Sequence, residues 1–354
     1  MSEYALSNFM TSTTDKVLVG MSGGVDSSVC VRILQDQGFE VEGLVLEFSP
    51  AHKPAVEAAL AAAKKLGIPL HVQKCYEEFE KEVIEPFCRE YCAGVTPSPC
   101  IRCNPAVKFK LLAAAAKEMG IEFIATGHYA RVEEGDDGVY RIACAESRSR
   151  DQSYMLYRLP QEILAKLILP LGEFEKEDVR AIAMESKLPC ADTPDSQEIC
   201  FIPDGNYPDY ISARGCIGKA GRFIGPDGQD LGEHQGVLRY TIGQRRGLNL
   251  ALGKPVFVKR ILENGDIQLA WAGEEFYTVL TLNDVLTADG CPLNGEYKVK
   301  IRSAAKPVSC NVNTEAGTVT VTFPEPVRAP APGQSAVFYR SDVVMGGGII
   351  QDMQ

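Results

Sequence analysis

Lys16-Val17-Leu18-Val19, an apolar run short enough to be one strand, breaks directly into Gly20-Met21-Ser22-Gly23-Gly24-Val25-Asp26-Ser27. Helical spacing (Val29, Ile33, Leu34) then runs from Ser28 to Gln37 and stops at Gly38. A strand, a tight Gly-rich loop and a helix in this order restrict the fold severely: the strand must join a parallel sheet and the helix must cross over it. The alternation continues with strands at Val41 to Leu46, Ile68 to Val72 and Ile121 to Thr126. Helices are expected from Pro54 to Leu66, around Tyr76 to Tyr91, from Val107 to Met119 and from Glu173 to about Lys187. Cys92 to Pro105 reads as a Cys- and Pro-rich loop, and Asp192 to Phe201 as a polar, turn-rich edge.

The predicted fold class is therefore α/β, a doubly wound parallel sheet, over residues 1–204. Beyond Gly205, glycines recur at 215, 218, 221, 225, 228 and 232 and helical patterns nearly vanish, which predicts a small mixed domain over residues 205–278. Alternating stretches such as Tyr297-Lys298-Val299-Lys300-Ile301 and Thr318 to Phe323 predict a C-terminal β-barrel over residues 279–354. A length of 354 residues suits about two or three domains.

The loop places backbone N–H groups and a positive helix end at one point, as bound phosphate requires. It is not a Walker A loop, which would need a Gly-Lys-Ser/Thr ending, so ordinary γ-phosphoryl transfer is disfavoured. Asp26 is a candidate magnesium ligand, although an acid in the first helical turn would look the same.

Net charge of −11 argues against coating nucleic acid nonspecifically but leaves room for a local basic groove. No apolar stretch approaches the roughly 20 residues of a membrane span, so no membrane association is expected. Residues 1–15 contain Glu3 and Asp15 but no Lys or Arg, fit neither an export signal nor a transit peptide, and predict a cytoplasmic protein. There the 12 cysteines would meet a reducing environment, in which thiols are catalytic, metal-bound or buried and stable disulfides are rare.

Ser-Gly-Gly-x-Asp-Ser after a strand resembles the PP-loop of ATP pyrophosphatases, which cleave ATP between its α- and β-phosphates to adenylate a substrate. Further segments resemble tRNA-specific 2-thiouridylases: Thr96-Pro97-Ser98-Pro99-Cys100-Ile101-Arg102-Cys103-Asn104 with Lys108-Phe109; Ala125 to Arg131; Asp151-Gln152-Ser153-Tyr154; Asp195 to Ile202; Tyr240 to Leu248; and Gly333 to Tyr339. They occur in the family order across nearly the whole chain. The resemblance implies ATP-dependent replacement of the C2 oxygen of a wobble uridine by sulfur, in tRNAs for Lys, Glu and Gln. It implies that Cys200 carries sulfur as a persulfide received from a cysteine desulfurase or relay protein, and that Cys103 is its partner thiol, the two ending as a disulfide.

For ATP the resemblance points to Gly20, Met21, Ser22, Gly23, Gly24, Val25, Asp26 and Ser27, with Leu46 at the adenine and Gly127 adding a backbone contact. For tRNA it points to His128, Arg150, Asp151, Gln152, Arg245, Arg246 and Gln334. A contact near Arg302 is doubtful, because Ile301-Arg302-Ser303-Ala304 lacks the bulkier polar residues expected there. Thiol chemistry needs two sulfurs that meet and at least one thiol of lowered pKa; both cysteines fall in expected loops, with Asn104, Asp195 and Glu198 as polar neighbours.

Many family members carry an acid where this chain has Cys100, so an acid-base role does not transfer to it. The resulting Cys100-x-x-Cys103, with Cys88 and Cys92 nearby, makes zinc or an iron–sulfur cluster conceivable there, or a cluster shared with Cys200. Two other readings stay open: a PP-loop enzyme adenylating a small molecule, and a metal-containing RNA-binding module.

Overall fold

The computed structural model describes residues 15–194, 199–202 and 204–354. Glu3, and Asp195, Ser196, Gln197 and Glu198 of the second cysteine motif, lie outside the described residues.

Strand β1 (Lys16–Gly20) is central to a five-stranded parallel sheet. Its Val17, Leu18 and Val19 have no exposed surface, because helices cover both faces. β2 (Glu40–Glu47) and β3 (Leu70–Lys74) lie on one side of β1, and β4 (Phe123–Thr126) on the other. Helix α1 (Val25–Asp36) follows the loop after β1, and α2 (Lys53–Leu66) joins β2 to β3. α2 ends at Gly67, whose left-handed φ of 71° suits a residue without Cβ. Its small Ala59, Ala62 and Ala63 allow close approach to the sheet.

After β4 the chain forms a hairpin of β5 (Ala130–Glu134) and β6 (Tyr140–Cys144), then returns to the parallel sheet as the short edge strand β7 (Leu167–Ile168). The next segments are a helix at Tyr207–Ala213 and a four-stranded sheet of β8 (Arg222–Ile224), β9 (Asp230–Glu233), β10 (Val256–Ile261) and β11 (Ile267–Trp271), in the order β10-β11-β8-β9. Six strands then form a closed barrel: β12 (Phe276–Thr287), β13 (Gly295–Lys300), β14 (Val308–Glu315), β15 (Thr318–Arg328), β16 (Ser335–Arg340) and β17 (Val343–Met353). The order is β12-β15-β14-β13-β16-β17, and β17 pairs back onto β12. Among the described residues no helix is long and apolar enough to cross a membrane.

The cores do not respect the segment boundaries. Phe223, Leu248 and Val258 of the middle segment share one apolar cluster with Leu280, Val299 and Phe338 of the barrel. Ile101, Phe109 and Tyr154 share another with Val337, Tyr339 and Val344. β6 joins β17 through Ala143 and Val343, so the hairpin extends the barrel sheet. Arg302 points inward, donating to the carbonyls of Ile242 (2.9 Å) and Ala329 (2.8 Å) and tying the middle segment to the barrel.

Two local expectations need correction. Pro99–Cys103 is a short helix rather than loop, with Pro99 at its first turn where a missing N–H costs nothing, and it runs into a π-helical turn at Asn104–Lys108. A disulfide joins Cys92 to Cys216 across 124 residues, with Cα atoms 6.6 Å apart. Closing so long a loop restricts the unfolded chain, so Cys216→Ser is expected to lower unfolding free energy by about 2–4 kcal/mol. Urea titration without reductant measures this, and the difference should vanish when both proteins are reduced.

Candidate active site

The loop after β1 is built from its own small side chains. The N–H of Ser22 donates to Ser27 Oγ (3.1 Å), and the hydroxyls of Ser27 and Ser28 donate to the carbonyl of Gly24 (3.2 and 2.9 Å). Gly23 has φ +81°, and a Cβ there would stand 2.6 Å from the carbonyl oxygen of Ala55 on α2. Any other residue would therefore push the loop off α2. Met21 donates its N–H to Leu44 O (2.8 Å), which fixes the turn to β2. Val25 is buried beneath the loop, while Ser22 and Gly24 face outward.

Sheet order reverses between β1 and β4, and ligands of open α/β sheets sit in the crevice at such a switch point. Gly20 is paired with Thr126, so Gly127 and His128 continue alongside the loop. Gly127 lies so near that a Cβ would come within 2.6 Å of the Asp26 carbonyl carbon. Leu46, at the end of β2, packs toward the aromatic cluster that contains Cys103. The structure thus sets Gly127 beside the loop, and Leu46 against the apolar cluster of Cys103.

Asp26 is already engaged. Its Oδ1 accepts from Lys176 Nζ at 2.6 Å and from Tyr129 Oη at 2.9 Å. Lys176, at the start of the helix Lys176–Glu185, is only 5 % exposed. Sequence reasoning missed it: a lysine in Glu175-Lys176-Glu177-Asp178 reads as a solvated charge, and only tertiary packing reveals a buried cation under the loop. Asp26 itself stays about a third exposed, a hard oxygen donor at the rim of the crevice.

Cys103 is 8 % exposed and packed among Phe79, Phe87, Val107 and Phe201. Burial pushes its thiol up to about 11; the positive charge and backbone N–H of Lys108 pull the other way and lose. Cys200 has an exposed surface, yet desolvation around its sulfur, then the neighbouring Cys103 and Cys100, push it up to about 12 against the same Lys108 charge. Cys103 is therefore near enough to Cys200 to act on it electrostatically. The expectation that one would have a lowered pKa is not met, because the aromatic surroundings outweigh a single lysine.

Lys108 also acts on His128, whose pKa lies well below its usual value through burial first and that charge second. The imidazole is therefore neutral at working pH. Its Nδ1 shares a 2.7 Å hydrogen bond with Thr126 Oγ1, and its ring lies over Phe109 at 5.6 Å. Asn104, 2 % exposed, donates to Met155 O (2.9 Å) and ties the cysteine helix to the 150s segment.

The four-cysteine metal site is a correction. Cys92 is joined to Cys216, Cys100 is exposed and Cys103 faces the aromatic cluster. Among the described residues no three His, Cys, Asp or Glu side chains converge as a metal site, with or without Cys200. The donors at hand therefore do not fit zinc or an iron–sulfur cluster.

The residues expected at tRNA scatter. Arg245 and Arg246 are exposed, and Arg245 borders a groove of about 400 Å³ with Leu248, Asn249 and Lys254. Arg150 is exposed, but Asp151 turns inward: its side chain is 5 % exposed, accepts from Ser153 Oγ (2.8 Å) and lies 3.4 Å from Lys300 Nζ of the barrel. Gln152 Oε1 accepts the N–H of Tyr129 (2.9 Å). Gln334 Nε2 donates to the carbonyls of Thr96 (3.0 Å) and Pro97 (3.3 Å). These three support the site's framework through protein contacts.

Three family models match the chain: a tRNA methyl transferase HUP domain over residues 15–204, a tRNA methyl transferase PRC-barrel domain over 213–267 and an aminomethyltransferase beta-barrel domain over 282–350. The chain is 44 % identical over 355 residues to the tRNA-specific 2-thiouridylase MnmA of Carboxydothermus hydrogenoformans, covering 95 % of this chain and 97 % of that one. It is 42 % identical over 359 residues to the protein of the same name from Clostridium botulinum strain Alaska E43, covering 97 % and 99 %. The solved NMN synthetase from Francisella tularensis superposes with a TM-score of 0.34 at 17 % identity, over 52 % of this chain and 67 % of that one; nothing further rests on it.

Because the Cys103 thiol titrates near 11, only a small thiolate fraction exists near neutrality. Its alkylation by iodoacetamide, followed by peptide mass spectrometry in brief pulses, should climb about tenfold per pH unit above neutrality. It should level only near the thiol's pKa of about 11. Levelling at the ordinary cysteine range would mean that Lys108 outweighs burial.

Proposed function

The chain belongs to the tRNA-specific 2-thiouridylase family, and from that premise we propose that it replaces the C2 oxygen of the wobble uridine of tRNA with sulfur at the expense of ATP. The observation that carries this reading is Lys108, whose charge acts at once on Cys103, Cys200 and His128, while His128 follows the Gly127 that packs against the phosphate loop. On this reading the ATP site and the thiol pair work on one substrate, with Lys108 as the charge common to both sides.

In the proposed reaction the uridine C2 oxygen attacks the α-phosphorus of ATP and pyrophosphate leaves. Gly20 to Ser27 cradle the phosphates with backbone N–H groups, Leu46 borders the adenine, and Gly127 adds a backbone contact. Asp26 would hold magnesium, which neutralises phosphate charge when bound. Lys176 keeps the Asp26 carboxylate in place. The adenylated oxygen is now a good leaving group.

The terminal sulfur of a Cys200 persulfide then attacks C2 and AMP departs with the old oxygen. Cys103 attacks the Cys200 sulfur, releasing 2-thiouridine and leaving a Cys103–Cys200 disulfide that an external dithiol reduces. Two thiols thereby supply the two electrons that the sulfane sulfur gains. A cysteine desulfurase or relay protein supplies that sulfur, in the cytoplasm. Neutral His128 is suited to hydrogen-bond the base without bringing a second positive charge beside Lys108. Arg245, Arg246 and Lys254 would supply positive charge for RNA on a chain of net charge −11, with Arg150 a separate exposed contact, and Arg suits phosphate because its planar fork donates in pairs.

The test is incubation of the full chain with ATP, magnesium, a cysteine desulfurase and cysteine as persulfide source, an external dithiol and unmodified tRNA for Lys, Glu or Gln, followed by nucleoside mass spectrometry. 2-Thiouridine should accumulate; Cys200→Ser should abolish turnover with a persulfide donor while ATP binding persists. No 2-thiouridine under conditions where tRNA binds would sink the reading, and full ATP–pyrophosphate exchange without tRNA would favour a small-molecule substrate. Lys176→Met should weaken ATP binding about tenfold by calorimetry, the equivalent of ~1.4 kcal/mol.

A further inference from the structure

The segment from Cys92 to Pro97 leads directly into the Pro99–Cys103 helix, and both later domains grip it. From the middle segment, Cys216 is bonded to Cys92, and Ile261 of β10 lies over Gly94, where a Cβ would stand 2.7 Å from Ile261 Cγ2. From the barrel, Pro332 O accepts the N–H of Thr96 (3.0 Å), and Gln334 Nε2 donates to both Thr96 O and Pro97 O. Between these bonds Gly333 has φ +88°, and a Cβ on it would fall 2.3 Å from Val95 Cγ1. The barrel turn cannot retreat easily: Gly333 N–H donates to Ile350 O (3.0 Å), and Ile350 N–H donates to Gln334 O (2.8 Å), locking it to β17. Downstream, Ile101 N–H donates to Ser98 O (3.1 Å) and carries the restraint into the helix that ends at Cys103.

We infer that Gln334 is a positioning residue for Cys103: its side-chain amide couples the barrel to the catalytic segment, so that the barrel sets where the partner thiol stands. An attacking thiol must lie near 3–3.5 Å from the sulfur it resolves, and a misplacement of about 1 Å costs on the order of a hundredfold in rate. Gln334 spends its donors on protein carbonyls, which is the chemistry of a brace. The consequence for turnover rests on the thiolation reading above; the consequence for the Cys103 environment does not.

Three substitutions separate the roles. Gln334→Met keeps the shape without a donor, Gln334→Glu sets a carboxylate against two carbonyl oxygens, and Gln334→Lys restores a donor of similar reach. Cys103 alkylation, measured without RNA or nucleotide, should rise about tenfold in Gln334→Met, the scale of one lost hydrogen bond. It should rise further in Gln334→Glu and return toward wild type in Gln334→Lys. Thiolation kcat should fall in the same order, with KM for tRNA within about twofold. ATP affinity, read at a loop that Gln334 does not touch, certifies that each variant is folded. Unchanged Cys103 alkylation in all three, with KM for tRNA rising, would overturn the inference and make Gln334 a direct RNA contact. If alkylation responds as described while wild type forms no 2-thiouridine, the positioning role stands and the thiolation reading fails.

Discussion

Everything at the site depends on the pairing of β1 with β4. Because Gly20 stands opposite Thr126, two segments far apart in the chain leave the sheet at the same edge, one as the phosphate loop and the other as Gly127-His128. The positive start of α1 then lies at the same sheet edge as His128. No side chain needs to reach far: Gly127 packs against the backbone of Asp26 and Ser27, and proximity comes from register alone.

The thiols follow a different logic. An exposed cysteine pair beside a lysine would ionise readily and oxidise indiscriminately. Here Phe79, Phe87 and Phe201 dominate the environment of Cys103, and burial wins over Lys108. A protonated resting thiol is chemically quiet. The energetic gap between quiet and reactive states is one that substrate charge, water displacement or a shift of the segment holding Cys200 would have to close.

Much of the first domain was legible because its signals are local: an apolar run, Gly23-Gly24, the Ala-rich face of α2 and its stop at Gly67. Four of the five parallel strands and the barrel follow from local patterns that need no distant partner, whereas the two-residue edge strand Leu167–Ile168 is too short to show one. What escaped was tertiary. The β5–β6 hairpin finds its outer partner in β17, so nothing nearby marks it as part of a larger sheet. Pro97, Pro99 and Pro105 suggested loop, although Pro99 starts a helix. No local signal shows that Lys176 is buried against Asp26, or that Asp151 and Gln334 hold partners across the domains. The Cys92–Cys216 pairing among 12 cysteines has no signature in spacing at all.

The joint between β6 and β17 bears on how such a chain is made. The N–H of Cys144 donates to Asp342 O at 2.8 Å, a bond between residues synthesised far apart in time. Until β17 emerges, β6 is the outer strand of a hairpin whose next hydrogen-bonding neighbour does not yet exist, and Val337, Tyr339 and Val344 are missing from the core around Tyr154. An unpaired strand edge beside uncovered apolar side chains invites association with other nascent chains. Late arrival of the barrel therefore makes the catalytic domain most vulnerable to aggregation before it is complete, and ties its maturation to the last strand of the fold.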